Sequence, residues 1–100
     1  MIRGTTPTHI FKLPIDTSTI RQLRITYAQY GNTVLEVTEA EVTMDGQEVR
    51  YRLSQEDTLQ FKFPAQVEVQ IKVLTADGSV MASPVMPLMV EKILNTEVLA

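Results

Sequence analysis

Two Asp-Gly pairs, Asp45-Gly46 and Asp77-Gly78, constrain this chain more than any other feature. A two-residue type I′ turn needs φ > 0 at both central positions, and its twist matches the strands it joins. Each pair sits between runs of alternating apolar residues, so each predicts a β-hairpin. In AEVTMDGQEVRYRL the first turn sets Met44 opposite Gln47, Val42 opposite Val49 and Ala40 opposite Tyr51, gathering the apolar side chains on one face. On the other face Glu41 falls opposite Arg50 and Glu39 opposite Arg52, cross-strand pairs each worth up to about 1 kcal/mol.

The second turn, in VEVQIKVLTADGSVMASPVMPLMV, sets Val73 opposite Ala82, Ile71 opposite Pro84, Val69 opposite Met86 and Val67 opposite Leu88. A slip of one residue would turn this apolar set into water, so the register is tightly specified if the face is buried. Pro84 and Pro87 cannot donate to a ladder, which makes the last strand an edge strand, or one bulged or broken between them, with the half next to the turn better specified. Upstream, Leu23, Ile25 and Tyr27 alternate with polar residues before Gly31-Asn32, followed by Leu35 and Val37. A three-residue loop there opposes Tyr27 to Val37 and is preferred to a two-residue loop that opposes it to Glu36. Thr8 to Pro14 reads as a first strand of unassigned face. The expectation is an all-β fold: an antiparallel sandwich or small barrel of about seven strands.

A chain of 100 residues, 44% hydrophobic and 21% charged, is the size of one domain over residues 1–100, with an N-terminal arm at 1–7 and a C-terminal tail at 92–100. The net charge of −3 offers no basic surface for a phosphate backbone, which argues against nucleic acid as a partner. Without cysteine there is no disulfide framework, thiol catalysis or Cys-based metal site. The sequence shows no signal peptide and no run of about 18 apolar residues that would span a membrane. Synthesis in the cytoplasm, with or without later incorporation in a larger assembly, is the expectation.

The segment LSQEDTLQF, Leu53 to Phe61, gathers two carboxylates and two hydroxyls. Ser54 and Asp57 have capping-box spacing, and Glu56 and Asp57 sit where a helix start favours negative charge. Ser54, Glu56, Asp57 and Thr58 therefore read as a short helical turn over 54–59, pinned by Leu53, Leu59 and Phe61. The competing reading, an acid/base pair of Glu56 and Asp57, lacks a partner residue placed by sequence. LSQEDTLQF also resembles the Leu-x-x-Glu-Asp-Thr-Ala turn of immunoglobulin variable domains, which crosses between sheets just before a central core strand. The paired cysteines, core Trp and Tyr spacing of those domains are missing. The resemblance thus implies an immunoglobulin-like sandwich crossing and no antibody-like function.

Across nearly the whole chain, RGTTPTHIFKLP, LRITYAQ, LSQEDTLQF, VEVQIKVLTADGSVMAS and VEKILNTEVL are together similar to small proteins encoded in phages and prophages of Gram-positive gut bacteria. More loosely, they resemble the β-sandwich N-terminal domain of phage upper baseplate proteins. That implies a tail- or baseplate-associated structural role, with other phage structural proteins or a second copy as partner, and it brings no catalytic residues.

Other chemistry is thinly represented. His9 is the only histidine and has no Cys or second His to complete a metal site. Thr5, Thr6 and Thr8 around Pro7 read as an arm rather than a modified segment. Glu36, Glu39, Glu41, Asp45 and Glu48 lack calcium-loop spacing and describe a solvated face. Gly4, Gly31, Gly46 and Gly78 form no phosphate loop. The expectation is no catalytic, cofactor or metal site, no enzyme activity, and a small-molecule ligand disfavoured. One oddity is apolar: Leu74, Met81, Val85 and Met89 fall opposite the predicted core face of the last hairpin. Either the arm or the tail covers them, or they form an interaction patch, for which flexible Met is suited. An alternative function, a carbohydrate- or host-surface-binding module, would need exposed aromatics, and of Tyr27, Tyr30 and Tyr51 two are expected to face inward.

Overall fold

A computed structural model describes residues 1–100. The alternating segments form eight strands: β1 (Thr8–Lys12), β2 (Ile20–Gln29), β3 (Asn32–Thr38), β4 (Thr43–Asp45), β5 (Glu48–Arg52), β6 (Val67–Thr75), β7 (Val80–Ala82) and β8 (Met86–Leu88). One short helix, α1 (Gln55–Leu59), lies between β5 and β6, and 3₁₀ turns occupy Thr17–Thr19 and Glu39–Glu41. The strands build two antiparallel sheets, one ordered β1-β5-β4 and the other β3-β2-β6, with both β7 and β8 on the far side of β6. These orders correspond to strands B-E-D and C′-C-F-G of the immunoglobulin sandwich, with no strand paired to the outer edge of β1. The chain is thus an all-β, immunoglobulin-like sandwich, and α1 makes its crossing from β5 into the central strand β6.

Alternation decides what is buried. Leu23, Ile25 and Tyr27 on β2 and Val67, Val69, Ile71 and Val73 on β6 turn toward Phe11 on β1 and Val49 and Tyr51 on β5. Leu53, Phe61 and Val37 complete the centre, all with no measurable exposure. Each such aliphatic or aromatic side chain contributes roughly 1.5–3 kcal/mol of burial.

The registers differ from the sequence expectation in each hairpin. In β4–β5, Met44 faces Val49 and Asp45 faces Glu48, so the two-residue loop is Gly46-Gln47 rather than Asp45-Gly46. Gly46 has φ +56° while Gln47 does not share a positive φ, which fits a type II′ turn led by glycine. The shift is two residues, so Met44 and Val42 keep the inward face and only their partners change. The charge pairs do not form, because Glu39–Glu41 leave the ladder as a 3₁₀ turn. Glu41 instead accepts the Thr38 N–H at 3.0 Å, Arg50 pairs with Glu48 at 2.6 Å, and Glu39 pairs with Arg24 at 3.1 Å on β2.

In β6–β7 the loop has three residues, Ala76–Gly78, closed by the Thr75 N–H on Ser79 O at 2.9 Å with Gly78 at φ +87°. Val73 therefore faces Met81 rather than Ala82. One extra residue in Ser83–Val85 then restores the expected pairing, with Val69 opposite Met86 and Val67 opposite Leu88. This break splits the last strand in two and accounts for eight strands rather than seven. The half beyond the break, not the half next to the turn, keeps the expected register. Ser83 holds the break: its N–H donates to Ile71 O at 2.9 Å, and its Oγ accepts the Ile71 N–H at 3.1 Å. In β2–β3, Tyr30 and Gly31 form a two-residue loop with φ +52° and +75°, the type I′ signature. Val34 bulges, so Tyr27 faces Leu35 rather than Val37 or Glu36.

Two side chains tie loops to this frame. Gln29, buried, donates from Nε2 to Lys62 O at 2.9 Å and Ala65 O at 3.2 Å and accepts the Lys62 N–H at 2.8 Å. Gln55 donates to Leu99 O at 2.7 Å and accepts the Leu99 N–H at 2.8 Å, which lays the tail across α1. The arm runs parallel to the start of the tail through an Ile2–Glu91 bridge.

Candidate functional site

The turn around α1 is assembled from its own side chains. Ser54 Oγ accepts the Asp57 N–H at 3.0 Å, and Asp57 Oδ2 accepts the Ser54 N–H at 3.0 Å, closing the capping box. The same Oδ2 accepts the Tyr51 hydroxyl at 2.7 Å. Thr58, fully buried, donates its hydroxyl to Thr5 O at 2.9 Å and so binds the arm to the turn. Glu56 points into solvent and belongs to none of the ion pairs. Asp57 is thus committed to backbone and phenol, and its neighbour does not face it.

Beside this turn lies a second polar pair that no local signal announced. His9 stands opposite Tyr51 across β1–β5, and its Nδ1 lies 2.7 Å from the Tyr27 hydroxyl. Burial raises the Tyr27 phenol well above its usual range, reinforced by Tyr51 and Asp57, and burial likewise raises Tyr51, with Asp57 adding to it. Burial lowers the His9 imidazole, with the amino terminus adding to it. The imidazole tautomer sets the direction of this hydrogen bond: with the His9 proton on Nε2 the phenol donates to Nδ1, and with it on Nδ1 the phenol oxygen accepts. Tyr27 also meets Phe61 edge-on at 5.8 Å between ring centroids. Tyr51 donates to Asp57 and Tyr27 is hydrogen-bonded to His9, and none of the three principal cavities is lined by His9, Tyr27, Tyr51 or Asp57. The arrangement locks the crossing to the core. No group of three or more His, Cys, Asp and Glu comes together, and no helix is long and apolar enough to cross a membrane.

The four residues of the expected interaction patch are dispersed. Leu74, half-buried, faces Val80 on the outer surface. Met81 belongs elsewhere: opposite Val73 it turns inward against the core, because the third loop residue reverses the faces of β7. A glycine in the last loop position was the available signal. Val85 lies exposed in the break, and Met89 lies exposed beyond β8. Leu88 pairs with Val67 at the opposite end of β6 from Leu74, so Leu88 and Leu74 are separated by roughly 23 Å of strand at about 3.3 Å per residue, and Met89 lies one residue further. Neither the arm nor the tail covers Val80, Val85 or Met89, which are 58%, 51% and 60% exposed.

A feature the sequence did not reveal is the open side of the sandwich. Between β1 with the following Leu13–Ile15 and the β7–β8 edge runs a cleft of about 620 Å³, lined by 13 residues of which nine are hydrophobic. Phe11, Ile71, Val73, Met81 and Met86 form its apolar walls. It runs along the unpaired edge of β1. No protein-family model, curated protein or solved structure matches the chain.

Proposed function

We propose that this chain is a non-enzymatic structural protein of a phage or prophage particle, associated with the tail or baseplate and acting through protein–protein packing. The observation that carries the reading is the apolar edge along β7–β8, where Val80, Val85 and Met89 are more than half exposed. A solvated edge normally carries charge, and exposed apolar groups there favour a partner. The resemblance of the chain to phage and prophage proteins names the class of partner: other structural proteins of the particle. The protein is made in the cytoplasm and incorporated in the virion. Binding to purified tail and baseplate proteins encoded beside it tests this. Val85→Asp together with Met89→Asp should weaken binding at least about tenfold, which corresponds to roughly 1.4 kcal/mol. A wild type that binds none of them sinks the proposal.

A second reading, a carbohydrate- or host-surface-binding module, draws on one observation. Tyr30 at the β2–β3 tip is 75% exposed and Phe63 is 48% exposed, and the Gln29 hydrogen bonds to Lys62 and Ala65 bring both to one end of the sandwich. Exposed aromatic faces are what sugar rings stack on. Silence of the wild type on a glycan array removes this reading.

A further inference from the structure

The two edges that flank the cleft are not equivalent. The Leu13 N–H donates to Gln47 O at 2.8 Å and the Leu53 N–H to Pro7 O at 2.9 Å, and bonded and non-bonded pairs alternate along an antiparallel ladder. His9 and Phe11 therefore spend their backbone groups on β5, while Thr8, Ile10 and Lys12 aim theirs at the open side. No strand pairs with β1 there. The β7–β8 edge is blunted by the Ser83–Val85 break and by Pro87. Only β1 offers a template for another strand. Ile10 on it is 53% exposed, and Lys12 has no ion pair.

The tail has complementary needs. Leu94 and Leu99 are 92% and 70% exposed, and Glu97 has no ion pair. Leu99 already uses its N–H and C=O as a strand does, but on the side chain of Gln55. Ile10 offers the same two groups from backbone.

We propose that the open side of the sandwich accepts the segment Leu94–Ala100 of a second copy of this chain as an added antiparallel strand on β1. Glu97 then stands opposite Lys12 and Leu99 opposite Ile10 on the outer surface, while Val98 beside Phe11 enters the cleft. Ile93, which flanks Gly4 together with Leu59, stays with its own copy as the hinge. Reciprocal exchange engages the seven tail residues and the 13 cleft residues of each copy. That reaches the lower end of the roughly 20–30 residues a side found in stable interfaces, which pairing of β1 with β1 alone would not.

The exchange stands independently of the virion reading, since it is measured with this chain alone. Light scattering should show the full chain becoming dimeric as its concentration rises, and a chain ending at Ile93 remaining monomeric. Lys12→Glu and Glu97→Lys should each raise the dimer dissociation constant about fivefold, and the double swap should restore it. Both positions are on the surface, so these variants report even if the shortened chain fails to fold. A full chain that stays monomeric up to about 1 mM, a dimer that survives loss of the tail, or a double swap without restoration overturns the proposal.

Discussion

The two Asp-Gly hairpins carry the same dipeptide and fold it differently. At β4–β5 the Asp is the last ladder residue and the Gly leads a two-residue loop; at β6–β7 both lie inside a three-residue loop that the Gly ends. A displacement of two residues preserved the inward face of β4, whereas a displacement of one reversed β7. Asp-Gly therefore locates a turn, but the loop length decides which side chains the turn sends to the core. Asp77 shows where the decision is made: its carboxylate accepts the Thr75 hydroxyl and the Ser79 N–H, tying together the two ends of the longer loop. Asp45 makes no such side-chain hydrogen bond.

The largest effect that could break this comparison comes from β7. Met81→Asp should cost about 2 kcal/mol by urea unfolding, because it places a carboxylate against Val73. Val80→Asp should stay within roughly 0.5 kcal/mol, and the reverse order would restore the two-residue loop. Next, Gly78→Ala and Gly46→Ala should each cost about 1–2 kcal/mol, since both have positive φ and an added Cβ meets no atom within 4 Å, leaving backbone strain as the whole penalty. A marked inequality between them would mean that loop length, not φ, sets the cost. The α1 crossing supplies a reference of intermediate size: Ser54→Ala should cost about 1 kcal/mol through the lost cap.

The smallest effect concerns pH. Hydrogen bonds from Thr75 first, and then Ser79, hold the Asp77 carboxyl below the usual aspartate range. Between its folded and unfolded values the unfolded chain binds more protons, so Asp77 contributes stability above the unfolded value that is lost as pH falls through the folded one. Asp77→Ala should lower stability at neutral pH and flatten the decline below about pH 4. A slope equal to that of the wild type would remove the role of Asp77 in closing the longer loop.

What the sequence disclosed follows from range. The Ser54 and Asp57 capping box and the Leu53 and Phe61 anchors involve residues within one turn, and they are found where their spacing placed them. The inward set Leu23, Ile25 and Tyr27 was legible because strand alternation fixes faces without knowing the partner. The strand partners were less legible: Glu39 meets Arg24 rather than Arg52 because a 3₁₀ turn carries it toward the other sheet. The His9–Tyr27 pair, the Gln29 clamp and the open side beside β1 depend on which strands become neighbours across the sandwich. No local spacing encodes them.

The Gln29 clamp has a kinetic consequence. By joining the end of β2 to the loop that enters β6 through three hydrogen bonds, it closes a ring between the two central strands at the end remote from Ile20 and Thr75. The β2–β3 tip then cannot fray without releasing the entry to β6, so this end of the sandwich opens as one cooperative unit. Amide protons of Lys62 and of the adjoining β6 residues should exchange with solvent at a common rate, and Gln29→Ala should let the loop exchange first while the strand stays protected.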